Sequence, residues 1–387
     1  MAQQISSAII FPGVGARFFP PAVPTFNSVP ASNTLGFDRG WLLLEAALSM
    51  PSQKNTRVVI TRLGGPEVLK LVNEDLPAPA RGQVRVKVLA TGVAYADILM
   101  RRGLYPGAPR PPFTPGYDIV GDVDALGEGV TGFTSGQRVA GLTMTGGYSR
   151  FTLVPAEHLV PVPPSLDPAE AVSLVLNYVT AYQMIHRVAA LHAGQSLLVH
   201  SAAGGVGTAA LQLGKLAGIR LFGTASKPKH EILFSLGATP IDYRNENFVD
   251  RIRQLVPEGL DSVFDPIGGK HWWDSFRCLR RGGSLVCYGV QAAVTEGKSA
   301  AGLGFALLGL MKLIPDGRRA SWYNVKSLRD AHPDWFREDL IKLFELLAKR
   351  QIQPLIATRL PLRDAPRANE MLEKAQVSGK IVLLPHS

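Results

Sequence analysis

The chain has 387 residues, 46% hydrophobic and 19% charged, so it is too apolar for a disordered polymer and long enough for two globular domains. Its two cysteines, Cys278 and Cys287, exclude a disulfide framework and a four-cysteine zinc lobe. The net charge of +10 comes without any run of five Lys/Arg or a basic stripe interleaved with aromatics, which argues against nucleic acid and leaves an anionic cofactor as its simplest partner.

Residues 1–54 differ from the rest. Pro12, Pro20, Pro21, Pro24, Pro30 and Pro51 break any helix, and no acidic residue precedes Asp38. A disordered extension is expected, or a start at Met50; an organelle-targeting leader is the alternative, thinly supported by Arg17 alone.

From Thr56 the texture becomes strands and turns. Val58–Ile60 and Gln83–Leu89 alternate as half-buried strands do, and Gly116–Val123 and Gln137–Ala140 read as further short strands around a Pro/Gly cluster, Gly103–Pro115. Asp167-Pro168-Ala169-Glu170 marks a helix start, with Asp167 as cap, Pro168 in the first turn and Glu170 at capping-box spacing; the helix runs to about Leu191. Strand–helix alternation follows, with strands at Ser196–His200, Ile219–Gly223, Thr239–Tyr243, Asp261–Phe264 and Ser284–Tyr288, the pattern of a parallel, doubly wound α/β sheet. The apolar run Ala300–Met311 is far short of the roughly 20 residues that span a bilayer, so a soluble, cytoplasmic protein is expected. Asp334–Arg350 places Phe336, Leu340, Leu343, Phe344 and Leu347 on one helical face, and the strand-like Ile356–Leu360 and Lys380–Leu384 are expected to return to the first domain.

The chemistry concentrates at Leu197–Gly207, a buried strand running into Ser201-Ala202-Ala203-Gly204-Gly205-Val206-Gly207 and then a helix. Gly204 lets the backbone approach a pyrophosphate, Gly207 lets helix and strand pack closely, and the helix N-terminus offers amides to the anion. Binders of NAD place a carboxylate about 20 residues on, against the ribose hydroxyl. Here Gly223–His230 carries none, whereas Ser226 and Lys227 suit a 2′-phosphate, which favours NADP(H).

Asn177–Tyr182, the Ser201–Gly207 turn, Asp265-Pro266-Ile267-Gly268-Gly269 and Ser378–Val382 together resemble the medium-chain dehydrogenase/reductase superfamily, within it the zinc-free quinone oxidoreductases of zeta-crystallin type. The pairing of Val199-His200-Ser201 with Phe222–Ser226 and Lys229-His230-Glu231 is closer to the synaptic vesicle amine-transport protein homologues. The resemblance covers about residues 56–385. It implies a GroES-like, partly open β-barrel catalytic domain over 55–177 and 331–387 and a Rossmann domain over 178–330. It also implies Thr180 near the nicotinamide, Ala203, Gly204, Gly205, Val206 and Gly207 on the pyrophosphate, and Ser226 with Lys227 on the 2′-phosphate. Tyr243 would lie along the adenine, Tyr288 and Gly289 beside the nicotinamide ribose, and Lys380 close to the cofactor. A homodimer pairing sheet edges through Ser321–Val325 is implied as well.

Where zinc-dependent relatives carry a Cys, a His and a third ligand, this chain has Ala94, Tyr117 and Leu176, so no catalytic zinc is expected. His158, His186, His192 and His271 have no partner at ligand spacing and read as surface or core histidines. Without a metal to polarise a carbonyl, the accessible acceptors are already electrophilic, a quinone or an α,β-unsaturated carbonyl of apolar character as in enoyl reductases. The family's Asn and Tyr at two acid positions are replaced by Ala94 and Leu99. Tyr95 and Tyr117 remain as hydroxyls, Asp97 could orient a water, and solvent is the other proton source. A rival of a different class is a phospholipid-binding or transfer protein that keeps the nucleotide fold, touching an anionic membrane through the 300–311 segment, with Arg318 and Arg319 nearby.

Overall fold

The computed structural model describes residues 54–387, so the expected extension and the alternative start at Met50 lie outside the described residues. Chain entry is an antiparallel pair, β1 (Lys54–Ile60) and β2 (Leu69–Asp75). The long β3 (Gln83–Val93) then buries Val84, Val86 and Val88 while Arg85 and Lys87 face outward, the period-2 signature of a half-covered sheet. Around it assemble β4 (Ile119–Leu126), β5 (Arg138–Gly141), β6 (Phe151–Pro155) and β7 (Leu159–Pro161).

The strand expected from Gly116 begins only at Ile119. Gly116 has φ +110°, a conformation that a strand cannot use, so the strand begins only after the turn it makes.

A helix opens at Pro168, with the Asp167 carboxylate accepting from the amides of Ala169 and Glu170. Glu170 does not reach back to complete a capping box; its carboxylate pairs instead with Arg350 at 3.0 Å. The helix continues through π-turns at Leu174–Tyr178 and Met184–Val188, and such turns often mark functional sites.

Six parallel strands follow: β8 (Ser196–Val199), β9 (Arg220–Ala225), β10 (Ala238–Asp242), β11 (Leu260–Asp265), β12 (Leu279–Cys287) and β13 (Arg319–Trp322). Their spatial order, β10-β9-β8-β11-β12-β13, reverses between β8 and β11, the arrangement whose crevice binds dinucleotides at the strand C-termini. All four residues of β8 are buried, because helices cover both faces and leave no polar side to alternate with. Edge strand β13 ends at Trp322; Asn324 caps a helix beginning at Val325, so the expected edge Ser321–Val325 is corrected to Arg319–Trp322.

Helix Pro333–Ala348 buries Phe336, Leu340, Leu343, Phe344 and Leu347 as its periodicity predicts. The chain then returns to the first sheet, where β14 (Ile356–Pro361) lies parallel to β15 (Lys380–Leu384), and β15 pairs antiparallel with β3, Val382 opposite Gly92. The architecture is therefore a GroES-like barrel domain joined to a Rossmann sheet. Among the described residues, no helix is long and apolar enough to cross a membrane.

Candidate active site

A cavity of about 500 Å³ lies between the β3–β4 side of the barrel and the C-terminal ends of the parallel strands. One wall is the glycine turn. Gly204 caps helix Gly205–Leu216 in extended conformation with no side chain on the first amides, which leaves them open to an anion. A Cβ on Gly207 would stand 2.5 Å from the Ser201 carbonyl oxygen and 2.6 Å from Ala202 Cα, so only glycine allows this helix to approach its strand. Ala203 is buried behind the turn, and its carbonyl accepts the Gly379 amide at 2.8 Å, tying the turn to β15.

Thr180, Gly204, Gly205, Val206 and Gly207 line this side of the cavity, and Tyr288, Gly289 and Lys380 line another. Lys380 is almost wholly buried and pairs with Asp118 at 2.8 Å. The second Asp118 oxygen accepts the Gly92 amide, and a Cβ on Gly92 would sit 2.0 Å from Lys380 Cε. Gly92 is thus the space in which the ion pair fits.

Ser226, Lys227 and Tyr243 are outside the cavity. They follow the ends of β9 and β10, where Ala225 opposes Asp242, so they form one patch beyond the glycine turn. Two further cations belong to it. Lys229 donates to the carbonyls of Ala375 and Val377, and burial with Arg244 nearby holds it below the ordinary lysine value. Arg244 lies 5.9 Å from the Tyr243 ring centre.

On the barrel side, Tyr95 and Tyr117 face the cavity. Burial, then Glu373, pushes the Tyr95 phenol up to about 12. Tyr117 is held further up by burial and by Tyr105, whose hydroxyl is 2.7 Å from its own. Tyr105 escaped the sequence reading because it sits inside the Gly103–Pro115 cluster, where only a turn was legible; an aromatic inside a functional-length loop was the available signal.

Asp97 does not reach the cavity, which corrects the expectation that it orients a water. It is 1% exposed and accepts from the amides of Ala94 and Gly116 and from the Tyr148 hydroxyl, so it caps helix Tyr95–Arg101 and fixes the residue before Tyr117. Burial nonetheless raises its pKa from 3.8 to about 6. A raised carboxyl stabilises the fold fully below about pH 4, and that contribution is lost as pH rises through about 6. Unfolding of the wild type against Asp97→Asn should therefore show a relative loss of about 2 kcal/mol between pH 4 and 6.5, and a pH-independent difference would contradict the assignment.

His271 does have partners, contrary to the expectation. Val199 on β8 lies opposite Phe264 on β11, which sets His200 beside Asp265, and His271 Nδ1 stands 2.7 Å from the Asp265 carboxylate. Burial opposes charge on Asp265, but His271 outweighs it and holds the carboxyl down to about 2; burial and His271 hold His200 down to about 3.

A small apolar-walled cleft between a barrel and a dinucleotide-type crevice defines a class, the two-domain oxidoreductases. Residues 80–164 match the alcohol dehydrogenase GroES-like domain and residues 236–383 the zinc-binding dehydrogenase family. The synaptic vesicle membrane protein VAT-1 homolog of Rattus norvegicus is 34% identical over 338 residues, covering 85% of this chain and 83% of that protein. The quinone oxidoreductase of the same species is 30% identical over 345 residues, covering 86% and 98%. The crystal structure of Escherichia coli quinone oxidoreductase complexed with NADPH superposes with a TM-score of 0.77 at 30% identity, covering 85% of this chain and 100% of that one. The chain belongs to the medium-chain dehydrogenase/reductase superfamily, among its quinone oxidoreductase-type members.

The positions that hold zinc in zinc-dependent members do not fit a metal here. Ala94 and Leu176 offer no donor, and the Tyr117 hydroxyl is already bonded to Tyr105.

Proposed function

We propose that the protein is an NADPH-dependent, zinc-independent oxidoreductase that delivers hydride to a quinone or to an activated α,β-unsaturated carbonyl. The observation that carries this reading is that one cavity joins the glycine turn to a wall of Leu99, Tyr105, Tyr117, Phe305 and Trp322, with no metal donor set among the described residues that line it. Bound NADPH supplies the hydride, and the residues around it do the rest. The open amides of Gly205, Val206 and Gly207 hold the pyrophosphate, Thr180 and Lys380 flank the nicotinamide end, and the apolar wall orders a flat acceptor and excludes water. Tyr117 donates the proton that accompanies the hydride, and the half-buried Tyr105, its hydroxyl 2.7 Å away, returns one to it from solvent.

Ser226, Lys227, Lys229 and Arg244 form the cationic patch that distinguishes a 2′-phosphate from a hydroxyl. Lys227→Ala is expected to raise the KM for NADPH about tenfold, roughly 1.4 kcal/mol, and to leave the KM for NADH unchanged. Equal effects on both cofactors would refute the patch.

The exposed Trp322 ends edge strand β13, its ring 5.1 Å from that of the exposed Phe305, and helix Lys298–Met311, which packs on this strand, also exposes Leu303 and Leu310. Exposed apolar side chains on and beside an open strand edge suit a second copy of the chain, and the reading includes a homodimer through β13. Light scattering should give a dimer for the wild type and a monomer for Leu310→Asp. A monomeric wild type that floats with anionic vesicles would support the rival, peripheral membrane contact by a lipid-binding protein.

A further inference from the structure

The C-terminal ends of β8 and β11 gather ligating side chains that the proposed reaction does not use. His200 and Asp265 stand side by side because their strands are neighbours in parallel register. The chain then turns through Pro266–Gly269 into helix His271–Arg277, whose first residue brings a second imidazole back to the same point. One ligand atom from each of His200, Asp265 and His271 lies within 4.8 Å of the others.

Ser275, one turn along that helix, completes the cluster: its Oγ is 2.6 Å from Asp265 Oδ2 and 3.1 Å from His200 Nε2. The outer contacts are those that metal ligands use. His200 Nδ1 is 3.0 Å from Thr224 Oγ1, and Asp265 Oδ1 accepts the Ile267 amide at 2.7 Å. Phe248 packs against both imidazoles, with ring centres at 4.7 and 4.9 Å, and shields the group from one side.

We infer that His200, Asp265 and His271 form a binding site for a divalent transition-metal ion of the zinc class, separate from the substrate cleft. Two imidazoles and one carboxylate suit zinc, copper or iron rather than magnesium or calcium, which take oxygen donors. Side-chain rotation brings each donor to about 2.0–2.2 Å from one ion, and Ser275 Oγ or a water takes the fourth tetrahedral place.

In the metal-free arrangement Ser275 donates to Asp265 and therefore accepts from His200 Nε2–H. Binding needs the other tautomer, with Nε2 bare and Nδ1–H donating to Thr224. A hydroxyl can donate to bare Nδ1 in the first state and accept from Nδ1–H in the second, so Thr224 supports both. The half-buried His271 provides the entry path. A bound ion would clamp β8, β11 and helix His271–Arg277 beneath Pro266, which lines the cleft.

The test is titration of the chelator-treated full chain with Zn²⁺ by calorimetry and with Co²⁺ by visible absorption. One equivalent should bind, with the intense d–d bands of a tetrahedral Co²⁺ site and no thiolate charge-transfer band, since neither cysteine belongs to the cluster. His271→Gln should abolish binding, Thr224→Val should weaken it about 10–100-fold, and His186→Gln should leave it unchanged. Ser275→Ala keeps all three donors and should still bind, which preserves the test if His271→Gln does not fold. Absence of a stoichiometric site at micromolar metal, equal binding by wild type and a folded His271→Gln, or loss of binding in a folded Ser275→Ala would overturn the inference.

Discussion

Lys380→Met is expected to destabilise the protein by about 3–5 kcal/mol, the largest stability change for a single replacement in the cleft. The Lys380 and Asp118 side chains are 3% and 0% exposed and 2.8 Å apart, and the remaining Asp118 oxygen is taken by the Gly92 amide. Removing the ammonium leaves a carboxylate in the interior facing only one amide and the Met methyl. The unfolded chain would hydrate that carboxylate at once, so the whole desolvation penalty falls on the folded state. The double variant Lys380→Met/Asp118→Asn should recover most of the loss, because no charge remains buried. Denaturant unfolding of the three proteins measures this directly. A single variant within about 1 kcal/mol of wild type would mean that Asp118 reaches water after all.

Tyr117→Phe should lower kcat at least about 100-fold while leaving the KM for NADPH unchanged, the range expected when a positioned general acid is removed. Burial and the neighbouring Tyr105 keep the Tyr117 phenol protonated far above neutrality, so it is always charged with a proton to give. Tyr105→Phe should cost less, about tenfold, since it removes the partner 2.7 Å away but not the donor itself. The wild type should show no loss of kcat on the alkaline side until well above pH 9. Full turnover by Tyr117→Phe would assign the proton to solvent.

The parts of this protein legible in its sequence are those written in local spacing. Val84, Val86 and Val88 announce a half-covered strand, and the Ala203–Gly207 turn between a buried strand and a helix announces the dinucleotide crevice, because each signal needs only neighbours in the chain. What stayed hidden depends on pairing between distant segments. His200 and Asp265 meet only because β8 adjoins β11, an adjacency set by the reversal of strand order and invisible to ligand spacing. Asp97 read as a free acid because nothing local shows that Gly116 and Tyr148 would close around it. Gly116 itself was absorbed into a strand, although its positive φ ends the turn that aims Tyr117 at the cavity. Lys229 was legible only as part of a motif, without a role, and Tyr105 was passed over, for a similar reason: the carbonyls of Ala375 and Val377 and the Tyr117 hydroxyl that define their roles come from elsewhere in the fold.

The central claim is hydride transfer from NADPH to an electrophilic apolar acceptor, and its most direct measurement is NADPH oxidation against 1,4-naphthoquinones, 9,10-phenanthrenequinone and several α,β-unsaturated ketones, with deuterium at C4 of the nicotinamide. Oxidation by at least one acceptor, with the label found on the β-carbon of any enone reduced, is the result predicted. Tight NADPH binding with no oxidation by any member of the panel would contradict it.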